Sequence, residues 1–368
     1  MLKKTINLYN QLCKVKFRFD FPAKKKIILF DDAHSEILKE IIKNKFNILK
    51  IQGEKEIYFW LFIKQIVFFD FKFMTYCKNY IKYISPKVII TFIDTNIDFY
   101  ELKDGFKNIH FISIQNGNRT PDWFESKRMQ TSQNLKCDYF FVFNKFFKNK
   151  YEKYIKSDYH ILGNFRNNIA KVNIAKNHSN FLLISEISIT KNREIRTAYE
   201  KKLMTFVNAY ISKNNKKIHI LLKSKDPLIQ KKEINFYKIF FHTNCVFHKS
   251  SNWKQSYKII DKFENIIFTF STLGYEAIAR KKKIAVFSPN NVLGFKYYFG
   301  WPAKSKKNYD FFSSKKITYN EIKRVLTNII NCSQANWQNK YYTTIKNQMS
   351  LNKNNTKLKK VIFKLLKD

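Results

Sequence analysis

The chain has 368 residues, 45% of them hydrophobic, which is too long for one comfortable core and suits two domains of ordinary size. Its formal net charge of +41 attracts anions over a long range, which fits nucleic acid, an anionic membrane face, or sugar nucleotides and glycans. Because the basic residues are spread along the chain, we expect no specific nucleic-acid partner. The five scattered cysteines lack CxxC spacing, which argues against a disulfide scaffold and a zinc site and indicates a reducing cytoplasm.

Short apolar runs alternate with amphipathic helical patterns from about Lys26 onward. The first set of predicted strands is Ile27–Phe30, Ile48–Ile51, Val88–Phe92, His110–Ile114, Tyr139–Phe143 and His160–Leu162. The second set is Phe181–Ile184, Ile218–Leu222, Cys245–His248, Ile266–Phe270 and Ile284–Phe287. Predicted helices include Ala33–Lys43, Glu200–Asn214 and Tyr319–Asn331. The strand runs are apolar throughout rather than alternately, which is typical of parallel strands covered on both faces.

This order predicts an α/β protein with two Rossmann-like, doubly wound parallel-sheet domains facing a cleft. We place the first domain at residues 1–165 and a linker at 166–180, which contains a polar, Lys/Asn-rich break. The second domain covers residues 181–335, and residues 336–368 form a helical tail.

The densest apolar stretch, Ile57–Met74, is interrupted by four polar or charged residues and does not suit a membrane-spanning helix. It is either a core helix or an aromatic face that dips into a bilayer surface with help from nearby lysines. Residues Met1–Lys26 mix charges with short apolar runs, so we expect no signal peptide. A cytoplasmic protein, peripheral at the inner face of the membrane in the second case, fits both interpretations.

Polar residues follow most of the predicted strands. In open α/β sheets, ligands bind beyond the carboxyl ends of the strands, so these residues are candidates for a polar ligand site. They are Asp31, Asp32, His34, Asp94, Asn96, Gln115, Asn116, Gly117, Asn118, Arg119, Ser185, Glu186, Lys223, Ser224, Lys225, Ser271 and Thr272.

Several of these residues have a structural alternative. Asp31 and Asp32 either cap the following helix or provide a general base in Asp32. Asp94 and Asn96 either close an Asx turn or face a ligand. The run Gln115–Arg119 places a glycine between amides before an arginine, which favours a tight bend that presents donors to an anionic or hydroxylated ligand.

The stretch Ile266–Ser288 reads as strand, small-residue turn, helix and strand. A helix that begins at Ser271-Thr272 directs free N–H groups and the positive end of its dipole outward, which suits an anion. Glu276, one turn inside, could accept hydrogen bonds from ribose-like hydroxyls. Further on, Gly300-Trp301-Pro302 forms either a structural corner or an aromatic wall for a base or sugar ring.

Known phosphate and catalytic motifs are missing from the sequence. There is no GxxxxGK[ST] loop, no convincing GxGxxG after a first strand, no HExxH, no GxSxG and no DxD of the metal–nucleotide type. We therefore expect helix ends and basic side chains to handle phosphates, with no metal and no cofactor.

Several motifs in order carry a family resemblance from about Lys26 to Trp337. They are ILFDDAHSEIL, PKVIITFIDTNIDFYELKDGFKNIHFISIQNGNR, DYFFVFNKFFKNKYEKYI, LGNFRNN, STLGYEAIARKKKIAVFS and FGWP. On these motifs the chain resembles the surface-carbohydrate (O-antigen) biosynthesis proteins of bacterial polysaccharide gene clusters, which are similar to GT-B glycosyltransferases.

The resemblance implies a nucleotide-activated sugar held mainly by the second domain and a glycan or lipid-linked glycan acceptor on the first. It assigns the donor's phosphate and ribose to Ser271, Thr272, Gly274 and Glu276. Ser185, which follows a predicted strand of the same domain, is a further candidate donor-binding residue. Lys223 lies where related transferases often have a His-Pro element, although this chain has Lys-Asp-Pro instead. In the first domain it implies a cleft lined by Gln115, Asn116, Gly117 and Arg119, with Asp32 or Asp94 as the base.

The implied function is transfer of a sugar from a nucleotide donor in surface-polysaccharide assembly. Three alternatives stay open: a GT-B-like sugar-nucleotide epimerase, a polyol-phosphate transferase, and a basic nucleic-acid-binding protein without enzyme activity.

Overall fold

The computed structural model describes residues 15–51, 55–67, 70, 72–119, 121–172, 180–187, 194–287 and 309–367. The chain divides into two compact units. The first unit is Met1–Asn116, Ser126–Leu162 and Asn354–Asp368, and the second is Gly117–Glu125 and Gly163–Lys353.

Fourteen strands occur within the described residues. They are β1 (Val15–Arg18), β2 (Ile27–Phe30), β3 (Asn47–Leu49), β4 (Lys55–Tyr58), β5 (Val88–Thr91), β6 (His110–Ile114), β7 (Lys136–Val142), β8 (Lys156–Ile161), β9 (Phe181–Ile184), β10 (Ile218–Leu221), β11 (Cys245–His248), β12 (Asn265–Phe268), β13 (Lys283–Phe287) and β14 (Ser313–Ser314).

The helices flank these strands. In the first half of the chain they are α1 (Ser35–Ile42), α2 (Phe59–Val67), α3 (Phe73–Ile84), α4 (Ile97–Leu102), α5 (Pro121–Phe124), α6 (Lys127–Thr131), α7 (Lys145–Tyr151) and α8 (Phe165–Ile169). The others are α9 (Glu194–Lys213), α10 (Pro227–Phe241), α11 (Trp253–Asp261), α12 (Thr272–Ala279), α13 (Tyr309–Phe312), α14 (Tyr319–Asn331), α15 (Gln334–Asn336), α16 (Thr343–Ile345) and α17 (Thr356–Lys367), with a π-helix at Trp337–Tyr342 and short 3₁₀ turns at Lys103–Gly105, Lys346–Gln348 and Lys353–Asn355.

The sheet of the first unit has six strands in the order β3-β2-β5-β6-β7-β8, all parallel. Every residue of β2 and β5 is buried, because helices cover both faces of the sheet. A separate parallel pair joins β1 to β4. The last helix, α17, buries Leu358, Ile362 and Leu365 and belongs to this unit.

The sheet of the second unit also has six parallel strands, in the order β11-β10-β9-β12-β13-β14. Chain order runs outward from β9 on one side and from β12 on the other, so the direction of winding reverses between these two strands. This is the strand order of a dinucleotide-binding fold, and its ligand crevice lies where the order reverses.

The predicted α/β class with two parallel sheets is confirmed. Strands β2, β6, β9 and β11 have the predicted bounds, and the other predicted strands shift by a few residues at one or both ends. The sequence reading missed β1, β4 and β14, which are short and bear exposed or polar residues.

The division into units differs from the predicted domains. The chain passes from the first unit to the second at Gly163, so the predicted linker contains all of α8 except Phe165, and its Asn167 and Asn168 are buried in the second unit. Residues 117–125 also belong to the second unit, although we placed them in the first domain. These differences arise from hydrogen bonds between residues that are distant in sequence.

Among the described residues, no helix is both long enough and apolar enough to cross a membrane. Part of the stretch Ile57–Met74 forms α2, in which Leu61 is buried and Trp60 is exposed.

Candidate functional site

The carboxyl end of β9 and that of β12 meet where the winding of the second sheet reverses. Glu186, two residues beyond β9, is 7% exposed. Its carboxylate accepts hydrogen bonds from the backbone N–H of Thr269 (3.1 Å), Phe270 (2.7 Å) and Ser271 (2.5 Å), and from the Thr269 hydroxyl (2.9 Å). Glu186 thus fixes the loop that precedes α12. The sequence placed it at a strand end but gave it no role.

Helix α12 begins at a site that holds residues from two distant parts of the chain. Ser271 caps the helix, because its Oγ accepts the N–H of Leu273 at 3.3 Å. The hydroxyl of Thr272 accepts the N–H of Asn118 at 3.1 Å. The segment 117–119, predicted in the first domain, therefore lies against the start of α12 within the second unit.

Gly117 and Arg119 complete this site. A Cβ at Gly117 would lie 3.1 Å from Arg119 Nη1 and 3.7 Å from Thr272 Oγ1, so all three are neighbours. The positive end of the α12 dipole and the Arg119 guanidinium both favour a negative charge here. Since Ser271, Thr272 and Arg119 are only partly buried, a ligand can reach them. We call Gly117, Asn118, Arg119, Ser271 and Thr272 the anion site.

Glu276 lies one turn inside α12 and is buried. Its Oε2 accepts the Tyr257 hydroxyl at 2.6 Å, and its Oε1 lies 3.9 Å from Arg166 Nη2. Burial raises the pKa of Glu276, while Arg166 and the Tyr257 hydrogen bond act in the opposite direction. Arg166 and Tyr257 were not predicted site residues, although Arg166 stands within the quoted LGNFRNN motif.

Gly274 packs inside the unit. A Cβ at this position would lie 2.2 Å from Cγ of the buried Phe268 ring, so α12 can approach β12 only with a glycine here. Helix–strand packing therefore explains why a glycine is present at position 274, which we predicted to bind the donor.

Ser185 and Lys223 meet at a second buried carboxylate. Glu233 accepts the Ser185 hydroxyl and the Lys223 backbone N–H, the latter at 2.8 Å. Tyr237 donates to Ser185 Oγ at 2.9 Å. Ser185 is buried in this network, whereas the Lys223 side chain is exposed.

In the first unit, Asp31 and Asp32 directly follow β2. The Asp31 side chain is buried, its Oδ1 accepts the Asp32 N–H at 2.6 Å, and its backbone φ is 82°. Within the part of the chain that the structure describes, Asp31 Oδ2 is buried without a hydrogen-bond partner. Burial raises the pKa of Asp31 to about 6. Asp32 is exposed.

Neither aspartate caps α1 through its side chain. The residue at the N-cap is His34, and it makes no side-chain capping hydrogen bond. The capping alternative for Asp31 and Asp32 is therefore wrong. By contrast, Asn96 caps α4 by accepting the Asp98 N–H at 3.0 Å, as the turn interpretation of Asn96 expected.

Asp94, Gln115 and Asn116 hold the carboxyl edge of the first sheet together. Asp94 is fully buried and accepts the Asn116 N–H at 3.1 Å and the Tyr151 hydroxyl. Gln115 Oε1 accepts the Phe143 N–H at 2.9 Å. Asp94 and Gln115 are thus engaged in tertiary hydrogen bonds, whereas Asp32 is open to a ligand.

A cavity of about 420 Å³ lies at the same edge, next to Phe30 and Ile93. Its walls include the apolar Phe73 and Met74 and the polar Thr95, and Arg128, paired with Asp98, lines it too. The predicted aromatic turn Gly300-Trp301-Pro302 and Ser288 lie outside the described residues.

Comparison with known proteins identifies the family. The sequence profile of a family described as "putative O-antigen biosynthesis protein" matches residues 112–366, more than half of the chain. The chain belongs to this family. The match includes the anion site and Glu276, whereas Asp32 and Asp94 precede it. No curated protein matches the sequence.

Solved structures with the same fold cover nearly the whole chain. A putative UDP-N-acetylglucosamine 2-epimerase from Listeria monocytogenes is similar at 11% identity and a TM-score of 0.57, over 94% of this chain and 97% of that one. UDP-GlcNAc 2-epimerase from Neisseria meningitidis, bound to UDP-GlcNAc, is similar at 12% identity and a TM-score of 0.54, over 96% of this chain and 100% of that one. The wall teichoic acid polymerase TagF is similar at 12% identity and a TM-score of 0.51, over 93% of this chain and 89% of that one. At these identities the likeness shows the GT-B-like fold that this O-antigen family member shares with them.

Proposed function

We propose that this protein is a metal-independent glycosyltransferase of bacterial surface-polysaccharide biosynthesis. The observation that carries the proposal is the anion site. It joins Asn118 and Arg119 to the start of α12 at the ligand crevice of the second sheet. The family match supports the proposed pathway, because the family is described as one of O-antigen biosynthesis proteins.

The second unit would bind the nucleotide-activated sugar. Arg119, the Thr272 hydroxyl and the Thr272 N–H at the start of α12 would hold the donor's phosphate, because they combine charge, donors and a helix dipole. Glu276 would accept the ribose hydroxyls through Oε1, and Arg166 and Tyr257 hold its carboxylate in position.

The first unit would bind the acceptor and supply the base. Asp32 is exposed, and this supports it over Asp94, which is buried and accepts two hydrogen bonds. The cavity lined by Phe73, Met74 and Thr95 has apolar and polar walls that suit a glycan or lipid-linked glycan.

The proposed reaction is a direct displacement at the anomeric carbon. Asp32 takes the proton of the acceptor hydroxyl as its oxygen forms a bond to that carbon. The bond from the anomeric carbon to the donor phosphate breaks, and its electron pair leaves with the phosphate. The Thr272 N–H and Arg119 stabilise the charge that develops on the phosphate.

Binding of the donor is tested first by thermal stabilisation with a panel of UDP, GDP, CDP and CMP and their sugar derivatives. A ligand present at about 100 times its Kd raises the free energy of unfolding by about 2.7 kcal/mol. We expect one nucleotide class to raise the Tm and Arg119→Ala to abolish the rise.

The matched control is Lys217→Ala, which removes one positive charge from an exposed residue just before β10, at the opposite edge of the same sheet. It should leave the rise intact. No Tm rise with any nucleotide, together with salt-sensitive binding to random DNA, would overturn the proposal in favour of a nucleic-acid-binding protein.

Turnover separates the transferase from two alternatives of the same fold. A transferase releases nucleotide in proportion to sugar added to an acceptor. A sugar-nucleotide epimerase, the activity named for the Listeria and Neisseria structures, would change the sugar without any acceptor. A polyol-phosphate transferase, suggested by the likeness to TagF, would use a CDP-polyol and release CMP.

We also propose a cytoplasmic location, where sugar nucleotides are available. The described cysteines Cys77, Cys137, Cys245 and Cys332 are free thiols, which agrees with a reducing compartment. Cys245 is partly exposed while Cys77, Cys137 and Cys332 are buried, so labelling of Cys245 tests the proposal; we expect this thiol to be labelled in lysed cells and protected in intact cells.

A further inference from the structure

The first unit exposes a group of large apolar side chains beside β1 and on α2. We call it the aromatic cluster, and its members are Phe17, Phe19, Phe21, Trp60 and Ile63. Phe19 is 67% exposed, Phe21 55% and Trp60 43%. Contiguous exposed apolar groups of this size mark an interaction surface, because water contact is costly for each of them.

The cluster is held in one piece by ring contacts. Phe21 stacks on Trp60 with centroids 6.5 Å apart and on Tyr83 at 5.4 Å. Phe19 packs on Phe59 at 5.3 Å, and Trp60 Nε1 donates to the Phe19 carbonyl at 2.6 Å. The exposed rings are therefore fixed at the surface.

A groove rich in lysine continues from this cluster. We call it the basic groove, of about 770 Å³, lined by Lys25, Lys26, Ile27, Ile41, Ile42, Lys43, Asn44, Lys45, Phe363 and Leu366. Among the residues that the structure describes, its walls hold four lysines and no carboxylate. Lys24 connects the two surfaces, because its Nζ lies 5.0 Å from the centre of the Tyr83 ring and Lys25 is next in sequence.

The groove lies at the amino end of β2 and before β3, whereas Asp32 follows the carboxyl end of β2. These are opposite edges of the first sheet. An occupant of the groove would leave the proposed acceptor edge free.

We propose that the aromatic cluster and the basic groove dock the first unit on an anionic lipid bilayer. Aromatic side chains settle at the boundary between headgroups and acyl chains, and lysines beside them bind lipid phosphates. The combination of exposed rings with a lysine-rich groove favours this occupant over a second copy of the chain, which also carries +41 and would be repelled.

Vesicle co-sedimentation tests the aromatic cluster with the full chain. We expect binding to phosphatidylglycerol vesicles, weak binding to phosphatidylcholine vesicles, and a loss of about tenfold or more in the double variant Phe19→Ser, Phe21→Ser. The control pair is Leu228→Ser, Ile239→Ser, two exposed apolar residues of α10 in the second unit. Equal losses in both pairs, or no loss in the first, would overturn the proposal.

The basic groove is tested in the same assay. Lys26→Ala with Lys45→Ala should weaken binding by about fivefold per lysine. The variant Lys231→Ala, Lys232→Ala makes the same change in net charge on exposed residues of α10 and should retain most of the binding. If the two pairs lose the same amount, the attraction is a general effect of net charge and the groove has no special part.

Trp60 gives a readout that needs no destabilising variant. Its fluorescence should be quenched by brominated phosphatidylglycerol, and Trp60→Phe should lose that quenching while it keeps most of the binding. Absence of quenching in the unmodified chain contradicts the proposal. So does a dimer in sedimentation equilibrium that the Phe19, Phe21 variant dissociates, since the occupant would then be a second copy.

Discussion

The carboxyl edges of the two sheets both place a buried carboxylate within two residues of the end of the first strand in chain order, but the two carboxylates have different surroundings. Glu186 in the second unit accepts three backbone N–H groups and one hydroxyl. Asp31 in the first unit is as buried, yet its Oδ2 has no hydrogen-bond partner within the described residues and its pKa is raised to about 6.

The difference teaches that burial of an acid does not set its role. A carboxylate with several N–H donors is stable in its charged form and organises a loop. A buried carboxylate with an oxygen that accepts no hydrogen bond is costly in its charged form. Such groups are retained at sites of function or strain. The φ of 82° at Asp31 adds to that cost.

The largest expected effect on folding is at Glu186. Glu186→Ala leaves four donors around Thr269–Ser271 without their acceptor and should lower the free energy of unfolding by about 4 kcal/mol. Glu186→Gln keeps one acceptor oxygen and should lose about half of that. Urea unfolding followed by circular dichroism measures both, and a loss below about 1 kcal/mol in the alanine variant would contradict the role of Glu186.

The next effect is at Gly274. Gly274→Ala pushes a methyl group into the Phe268 ring and should cost about 2–3 kcal/mol. The double variant Gly274→Ala, Phe268→Leu should recover part of the loss. If the recovered variant still gains Tm with the donor nucleotide, Gly274 serves packing; if it folds but no longer responds, the residue contacts the donor as first assigned.

Asp31→Asn should have a smaller effect of the opposite sign. Because the folded-state pKa of Asp31 is raised to about 6, its contribution to stability is full below its ordinary pKa and is lost as the pH rises through about 6. Asparagine avoids that loss and tolerates the positive φ. We expect the variant to be about 1–2 kcal/mol more stable above about pH 7 and no more stable below about pH 4. Urea unfolding over this pH range measures it, and a pH-independent difference is the contrary result.

The smallest effect on folding is expected at Asp32, where the effect on turnover is large. Asp32 is exposed, so Asp32→Asn should change stability by less than about 0.5 kcal/mol. Loss of the base should slow sugar transfer by about 10²–10⁴-fold with unchanged nucleotide binding. Asp158→Asn, which removes an exposed carboxylate on β8 of the same unit, is the control. Full turnover in Asp32→Asn would return the search for a base to other residues.

Much of the fold could be predicted from local patterns. Uniformly apolar runs such as Ile27–Phe30 and Phe181–Ile184 indicated buried parallel strands, and the structure has both with the predicted bounds. Short strands with exposed side chains, such as β1, carry no such pattern and were missed. The helix after Ser271 was predicted because a small polar residue at a strand end is a capping signal.

The candidate site was predicted less completely. The strand-end rule found Ser271, Thr272, Arg119 and Asp32, all of which a ligand can reach. It also selected Ser185, Asp94 and Gln115, which the structure shows buried in hydrogen bonds with residues far away in sequence. The strand-end rule could not distinguish the accessible residues from the buried ones, because the hydrogen-bond partners Glu233, Tyr151 and Phe143 cannot be identified from sequence spacing.

The sequence by itself determined the α/β class, the parallel sheets and the polar strand ends, because each of these depends on short-range periodicity of apolar and polar residues. Only the tertiary structure decided that residues 117–119 join α12 in the second unit, that Glu186 fixes the loop before that helix, and that Asp31 Oδ2 has no hydrogen-bond partner among the described residues. These outcomes depend on hydrogen bonds between residues that lie up to 154 positions apart in the chain, and no local pattern encodes such pairings.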